Sequence, residues 1–117
     1  MDNATKMYQE LIDELAEKSK SCVDANNIKK GTVPGVDTEK INAVLNRLTE
    51  EERNTLAKFV TETYSSGIFD VLDLLEWYAC CKDMKISIEG EVLPTDKFEG
   101  IQNDFIGRRD GWEWPED

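Results

Sequence analysis

Carboxylates, thiols, guanidinium groups and indoles are the groups here that can do chemistry, because the 117-residue chain contains no histidine. That single absence removes every His-dependent triad, His general base and His-ligated metal site. The three cysteines, Cys22, Cys80 and Cys81, form no C-x-x-C pair, so a thiolate zinc site or a thioredoxin motif lacks its spacing. Cys80 and Cys81 are neighbours on a helical stretch and point about 100° apart around its axis, so a structural disulfide between them is not expected. Packing as small apolar side chains is the default role of all three. Neither they nor the serines have an imidazole base to activate them for nucleophilic attack.

The acidic candidates lie between Lys58 and Lys82, a stretch without any basic residue. Asp70, Asp73 and Trp77 sit at i, i+3 and i+7, on one face of a helix and opposite its apolar arc, with Glu76 well around from them. A large aromatic among carboxylates is a candidate anchor for a partner, since Trp is enriched at interface hot spots. The plainer alternative is that Trp77 packs under the C-terminal segment and the acids are merely solvated. Two carboxylates one turn apart can also hold Mg²⁺. With 25 acids in 117 residues, however, such pairs arise by chance, and no EF-hand loop occurs. No metal and no cofactor is expected.

A second cluster closes the chain, where Arg108 and Arg109 stand beside Asp110, Trp112 and Trp114. It can bind an anionic or aromatic group through bidentate hydrogen bonds or cation–π contact. It can equally tie the acidic tail to the body, the tryptophans filling surface grooves. Lys29, Lys30, Gly31 and Gly35 mimic a phosphate loop only superficially, because the Walker spacing and its Lys are missing. A capped turn with solvated lysines is the expectation there.

The formal charge is −11, from 25 acids against 14 bases. It opposes unaided binding to nucleic acid or to anionic membrane surfaces. It is uneven: −1 over residues 1–30, then −5 over 31–83 and −5 over 84–117. The odd cysteine count argues for a reducing compartment. Met1 to Lys6 is polar with no apolar stretch behind it, and no run approaches the ~18 apolar residues of a membrane span. A cytoplasmic protein is expected.

The elements that must position these groups follow from periodicity. Met7, Tyr8, Leu11, Ile12, Leu15 and Cys22 fill one arc of a helix from Asn3 to about Cys22. Asp24 to Asp37 reads as a loop, punctuated by Pro34 and Gly35. Ile41, Val44, Leu45 and Leu48 mark a second helix from about Thr38. Thr49-Glu50-Glu51-Glu52 has the capping-box form and opens a third, which Ser65-Ser66-Gly67 is expected to stop. The fourth, about Ile68 to Lys82, is the most apolar. It carries Ile68, Val71, Leu72, Leu75, Tyr78 and Ala79 on one arc with Phe69, Leu74 and Trp77 outside it, and so is expected at the centre of the core. Lys85–Ile88 alternates, Glu89-Gly90 turns and Val92-Leu93-Pro94 returns, a small hairpin near residues 85–93. Phe98, Ile101, Phe105 and Ile106 fit a last helix, and the tail is extended before Pro115. The prediction is a mainly α fold, one domain over residues 1–117, as a compact bundle of about five helices with a minor β-hairpin.

Several stretches together carry a resemblance: Thr32-Val33-Pro34-Gly35, Leu48-Thr49-Glu50-Glu51-Glu52-Arg53, Gly67-Ile68-Phe69-Asp70-Val71-Leu72, Val92-Leu93-Pro94 and Gly111-Trp112-Glu113-Trp114-Pro115. In that order the chain resembles a family of small, acidic, largely bacterial proteins known only as a domain of unknown function. The resemblance implies a stand-alone cytoplasmic domain and supplies no catalytic residues. Charge, size and missing catalytic apparatus favour a protein-interaction module, such as an immunity- or antitoxin-like inhibitor of a basic partner. Exposure of Trp77 would also suit a homodimer face. The alternatives are a DNA mimic, which needs rows of carboxylates, and a small enzyme uniting Asp70 or Asp73 with Arg108 in a cleft.

Overall fold

The computed structural model describes residues 1–116. Among them the elements are α1 (Asn3–Lys18), α2 (Val23–Lys30), α3 (Glu39–Arg47), α4 (Glu50–Cys81), β1 (Ser87–Ile88), β2 (Glu91–Val92) and α5 (Ile101–Arg109). The fold is mainly α with one small hairpin. Contacts gather into two compact units, Ser19–Ser65 and a second that joins Met1–Lys18 to the residues from Ser66 onward. No helix among the described residues is long and apolar enough to cross a membrane.

The Ser19–Ser65 unit is built from α2, α3 and the first half of α4. Ala25, Ile28, Leu45 and Ala57 are buried at its centre, with Cys22, Val33, Leu48, Leu56 and Val60 packed around them. Here the expected loop over Asp24–Asp37 is corrected, since its first part is α2. Ala25 and Ile28 are the inward positions of that short helix, while the Asn pair between them, weak in helix propensity, masked its period. The turn begins only at Gly31, whose left-handed backbone (φ 87°) lets its N–H reach the carbonyls of Asn27 and Ile28. Arg53 closes this loop by donating to the carbonyls of Leu48 at 3.0 Å and Lys29 at 3.5 Å. Asn42 clamps both backbone groups of Val33 at 2.7 and 3.0 Å. Lys29 and Lys30 remain exposed, as a capped turn requires.

The capping box at the start of α4 forms as its sequence specifies. Thr49 N–H donates to Glu52 at 2.9 Å, and Glu52 N–H donates to Thr49 Oγ1 at 3.1 Å. The Thr49 backbone N–H foremost, and then the Thr49 hydroxyl, hold the Glu52 carboxyl below its ordinary pKa. The expected stop at Ser65-Ser66-Gly67 does not occur. Gly67 is helical, and α4 runs unbroken for 32 residues. An interior glycine costs only about 0.5–1 kcal/mol against alanine, too little to end a helix anchored by packing on both sides of it. Among the described residues five helices therefore result, with α2 gained and the third and fourth fused.

In the other unit the largest buried side chains are Tyr8 and Ile12 of α1 and Phe105 of α5. Burying each contributes about 1.5–3 kcal/mol. Ala16, Leu72, Leu93 and Ile101 complete the buried cluster. This corrects the expectation that the apolar fourth segment is the centre of the core. Among these residues α4 contributes only Leu72 in full, with Ile68, Phe69 and Leu75 partly buried. Asp2 opens α1 by accepting from Thr5 N–H at 2.7 Å and Thr5 Oγ1 at 3.0 Å. The hairpin pairs Ser87 with Val92 and Ile88 with Glu91. Glu89 (φ 51°) and Gly90 (φ 80°) give it the two left-handed residues of a type I′ turn. Leu93 N–H then donates to Ile86 at 2.8 Å and enters the core.

Candidate functional site

The outward face of α4 is apolar. Val71, Leu74, Trp77 and Tyr78 are 59%, 57%, 49% and 43% exposed. At 100° per residue Leu74 and Trp77 lie beyond the arc of Ile68, Leu72, Leu75 and Ala79, which turn inward. Val71 and Tyr78 sit on the edge of that arc, so their expected burial with it is corrected. Cys80 and Cys81 are also exposed free thiols, which corrects the expectation that they pack as buried apolar residues. Local desolvation of its sulfur, then the neighbouring Cys80, push the Cys81 thiol up, away from the reactive thiolate.

Asp70, Asp73 and Trp77 share the solvent side, as their spacing predicts, and Trp77 does not pack under the C-terminal segment in the way the plainer reading required. Its ring meets Tyr78 edge-on at 5.1 Å, and Lys82 Nζ lies 5.7 Å from its centre. Asp73 accepts a hydrogen bond from Gln102 Nε2 at 3.1 Å, while Asp70 is exposed. Glu76 points elsewhere and does a structural job that sequence reading missed. Its Oε2 accepts the Ile101 N–H at 3.1 Å. The N-cap of α5 is Gly100, which has no side chain to cap with, so a carboxylate from α4 supplies the missing acceptor at the positive end of the helix. A β-carbon on Gly100 (φ 99°) would also meet that carboxyl at 3.5 Å.

The C-terminal cluster is engaged within the unit. Arg108 Nε donates to Asp13 Oδ1 at 2.6 Å, and its Nη1 donates to the Trp112 carbonyl at 2.6 Å. The guanidinium carbon lies 5.5 Å from the Trp114 ring, and Trp114 Nε1 donates to both oxygens of Asp13 at 3.2 and 3.3 Å. Trp112 rests on Gly107, where a β-carbon would approach its ring at 3.4 Å. Trp114 also lies tilted against Phe98 (4.8 Å) and meets Tyr8 edge-on (6.1 Å). Arg109 is half-buried on the same helix. Of the two readings of this cluster, the geometry matches the one that ties the tail down.

Beneath it lies a buried pair with no signature in the sequence. Tyr8 Oη donates to Asp104 Oδ2 at 2.5 Å, and Glu99 N–H donates to Asp104 Oδ1 at 2.9 Å. Burial pushes the Asp104 carboxyl up, against the lowering effect of those two bonds. Burial and the bond to Asp104 push the Tyr8 hydroxyl far up as well, so it stays a donor.

Two open clefts flank the unit. One, of about 380 Å³, is lined by Glu76, Cys80, Lys85, Pro94 and Asp96 among others. The other, of about 430 Å³, is lined by Lys6, Glu10, Glu14 and Ile88 among others. Neither contains Asp70, Asp73 or Arg108. With Asp73 bonded to Gln102 and Arg108 to Asp13, neither cleft unites the acid–Arg pair of the enzyme reading.

No curated protein and no solved structure matches the chain. A family model does match, over residues 1–116, described as a family of unknown function (DUF6547). It takes in the exposed face of α4, the docked tail and the Arg53-closed loop alike, and the chain therefore belongs to this family of unknown function.

Proposed function

We propose that this protein is a protein–protein interaction module whose contact surface is the outward face of α4. The observation that carries the reading is the row Val71, Leu74, Trp77 and Tyr78, all exposed on one helix face. Burying such a row against a partner is favourable by roughly 25 cal/mol per Å² of apolar surface. Trp and Tyr also concentrate interface energy where they are desolvated. Asp70 and Asp73 border the row, and the chain carries −11 overall, so the partner in this reading is a basic protein steered in by charge. Inhibition of that partner, in the manner of an immunity protein or antitoxin, is the role such a module would serve. Arg108, Trp112 and Trp114 leave the contact set and act in holding the tail. Three free cysteines support a reducing, cytoplasmic setting.

The test compares capture by the immobilised wild-type protein with capture by a Leu74→Glu/Trp77→Ala variant whose helical circular dichroism is intact. The expected result is a basic protein retained by the wild type, lost with the variant, and released as salt shortens the Debye length to ~3 Å near 1 M. Equal retention by both proteins, or none by either at low salt, overturns the reading.

A further inference from the structure

From the spacing and the charge of the same face we infer the chemistry of its occupant, an amphipathic helix of another protein that carries Lys or Arg along one flank of an apolar ridge. The inference rests on the interaction reading above and narrows it. Val71, Leu74, Tyr78 and Cys81 follow one another at three, four and three residues, and all four are exposed. That alternation is the knobs-into-holes spacing that an opposing helix interdigitates with; a strand, with its period of two, does not match it. One turn earlier in the same series stands Gly67, with open space where its β-carbon would be, so an opposing backbone can approach closely there.

Charge selects the sign of the partner. Asp70 and Asp73 are exposed along the flank of the ridge that also carries Trp77, and no Lys or Arg occurs between Lys58 and Lys82. A cation on the opposing helix would meet two carboxylates and the face of an indole, which already holds Lys82 Nζ 5.7 Å from its centre. A second copy of this chain is the poorer occupant. It would bring carboxylates to carboxylates across the seam and add another −11.

Three synthetic 21-residue helices test this on the full-length protein by fluorescence anisotropy at 50 mM salt. One has a Leu heptad seam with Lys flanks, one the same seam with Glu flanks, and one Lys flanks with Ser in the seam. The Leu/Lys helix is expected to bind at least about tenfold tighter than either of the others. Leu74→Glu is expected to abolish its binding although the substitution adds a negative charge, which a purely electrostatic attraction would reward. Asp70→Asn/Asp73→Asn is expected to weaken binding several-fold. Equal binding of the Leu/Glu helix, binding unaffected by Leu74→Glu, or no binding of the Leu/Lys helix overturns the inference. So does concentration-dependent dimerisation of the wild type that Leu74→Glu abolishes, since the face would then belong to a second copy. The interaction reading itself stands or falls separately, on whether the wild type alone retains a partner in the capture experiment.

Discussion

Trp77 and Trp114 are built from the same parts and meet opposite fates. Each indole lies under a cation, Lys82 at 5.7 Å and Arg108 at 5.5 Å. Each also has a carboxylate nearby in its helix or its neighbour. For Trp77 the cation is five residues away, on the same exposed strip. For Trp114 the decisive partner is Asp13, 101 residues distant, which accepts from the indole and from Arg108 together. The difference teaches that a cation and an indole do not dock a segment by themselves. Docking needs a third group, delivered by packing from elsewhere, that satisfies the polar edge of the ring while Tyr8 and Phe98 cover its apolar body.

The sharpest way to break this comparison is to truncate both rings and measure urea unfolding. Trp114→Ala is expected to cost about 2–3 kcal/mol, below the 3–5 of a fully buried Trp because the side chain keeps some exposure. Trp77→Ala should fall within about 0.5 kcal/mol of wild type, as an exposed side chain does. Similar losses for the two would refute the distinction. A smaller effect is expected for Arg108→Ala, about 1–2 kcal/mol, since it removes two charge-assisted bonds that water partly screens. Acrylamide quenching of the indoles should rise in that variant, as Trp112 and Trp114 lose their clasp.

The docked side also predicts a pH dependence. A carboxyl whose pKa is raised on folding binds its proton more tightly in the folded state. Asp104 is such a group, so its contribution is full below its unfolded value of 3.8 and is lost as pH rises through its folded pKa. Asp2 and Glu52 run the opposite way, contributing above their unfolded values of 3.8 and 4.5 and losing that contribution as pH falls. The melting temperature is therefore expected to rise on mild acidification from neutrality and to fall again at lower pH. Asp104→Asn, which keeps an acceptor for Glu99 N–H, should flatten the first limb and leave the second. The smallest expected gain is on α4, where Gly67→Ala should stabilise by about 0.5–1 kcal/mol because the site is helical and open. Destabilisation there would restore a left-handed stop at Gly67.

Features fixed by neighbours in the chain were legible from the sequence. The Thr49/Glu52 box, the Glu89-Gly90 turn and the solvent side shared by Asp70, Asp73 and Trp77 depend on spacings of a few residues, and each stands in the structure where spacing put it. Misreadings arose where long-range packing outweighed local preference. Two asparagines hid α2, whose inward Ala25 and Ile28 are held by the core of its own unit. A Ser-Ser-Gly run looked like a stop inside a helix that packing carries through it.

What the amino-acid sequence determined alone is the exclusion of histidine chemistry, the acidic charge, the mainly helical class and the face on which Asp70, Asp73 and Trp77 lie. Only the tertiary structure decided which apolar side of α4 is covered, that Glu76 caps α5, and that Asp13 captures Arg108 and Trp114. The reason is physical. Periodicity reports which residues share a face, whereas burial depends on whether another element arrives at that face, and the residues that bring it there lie up to a hundred positions away.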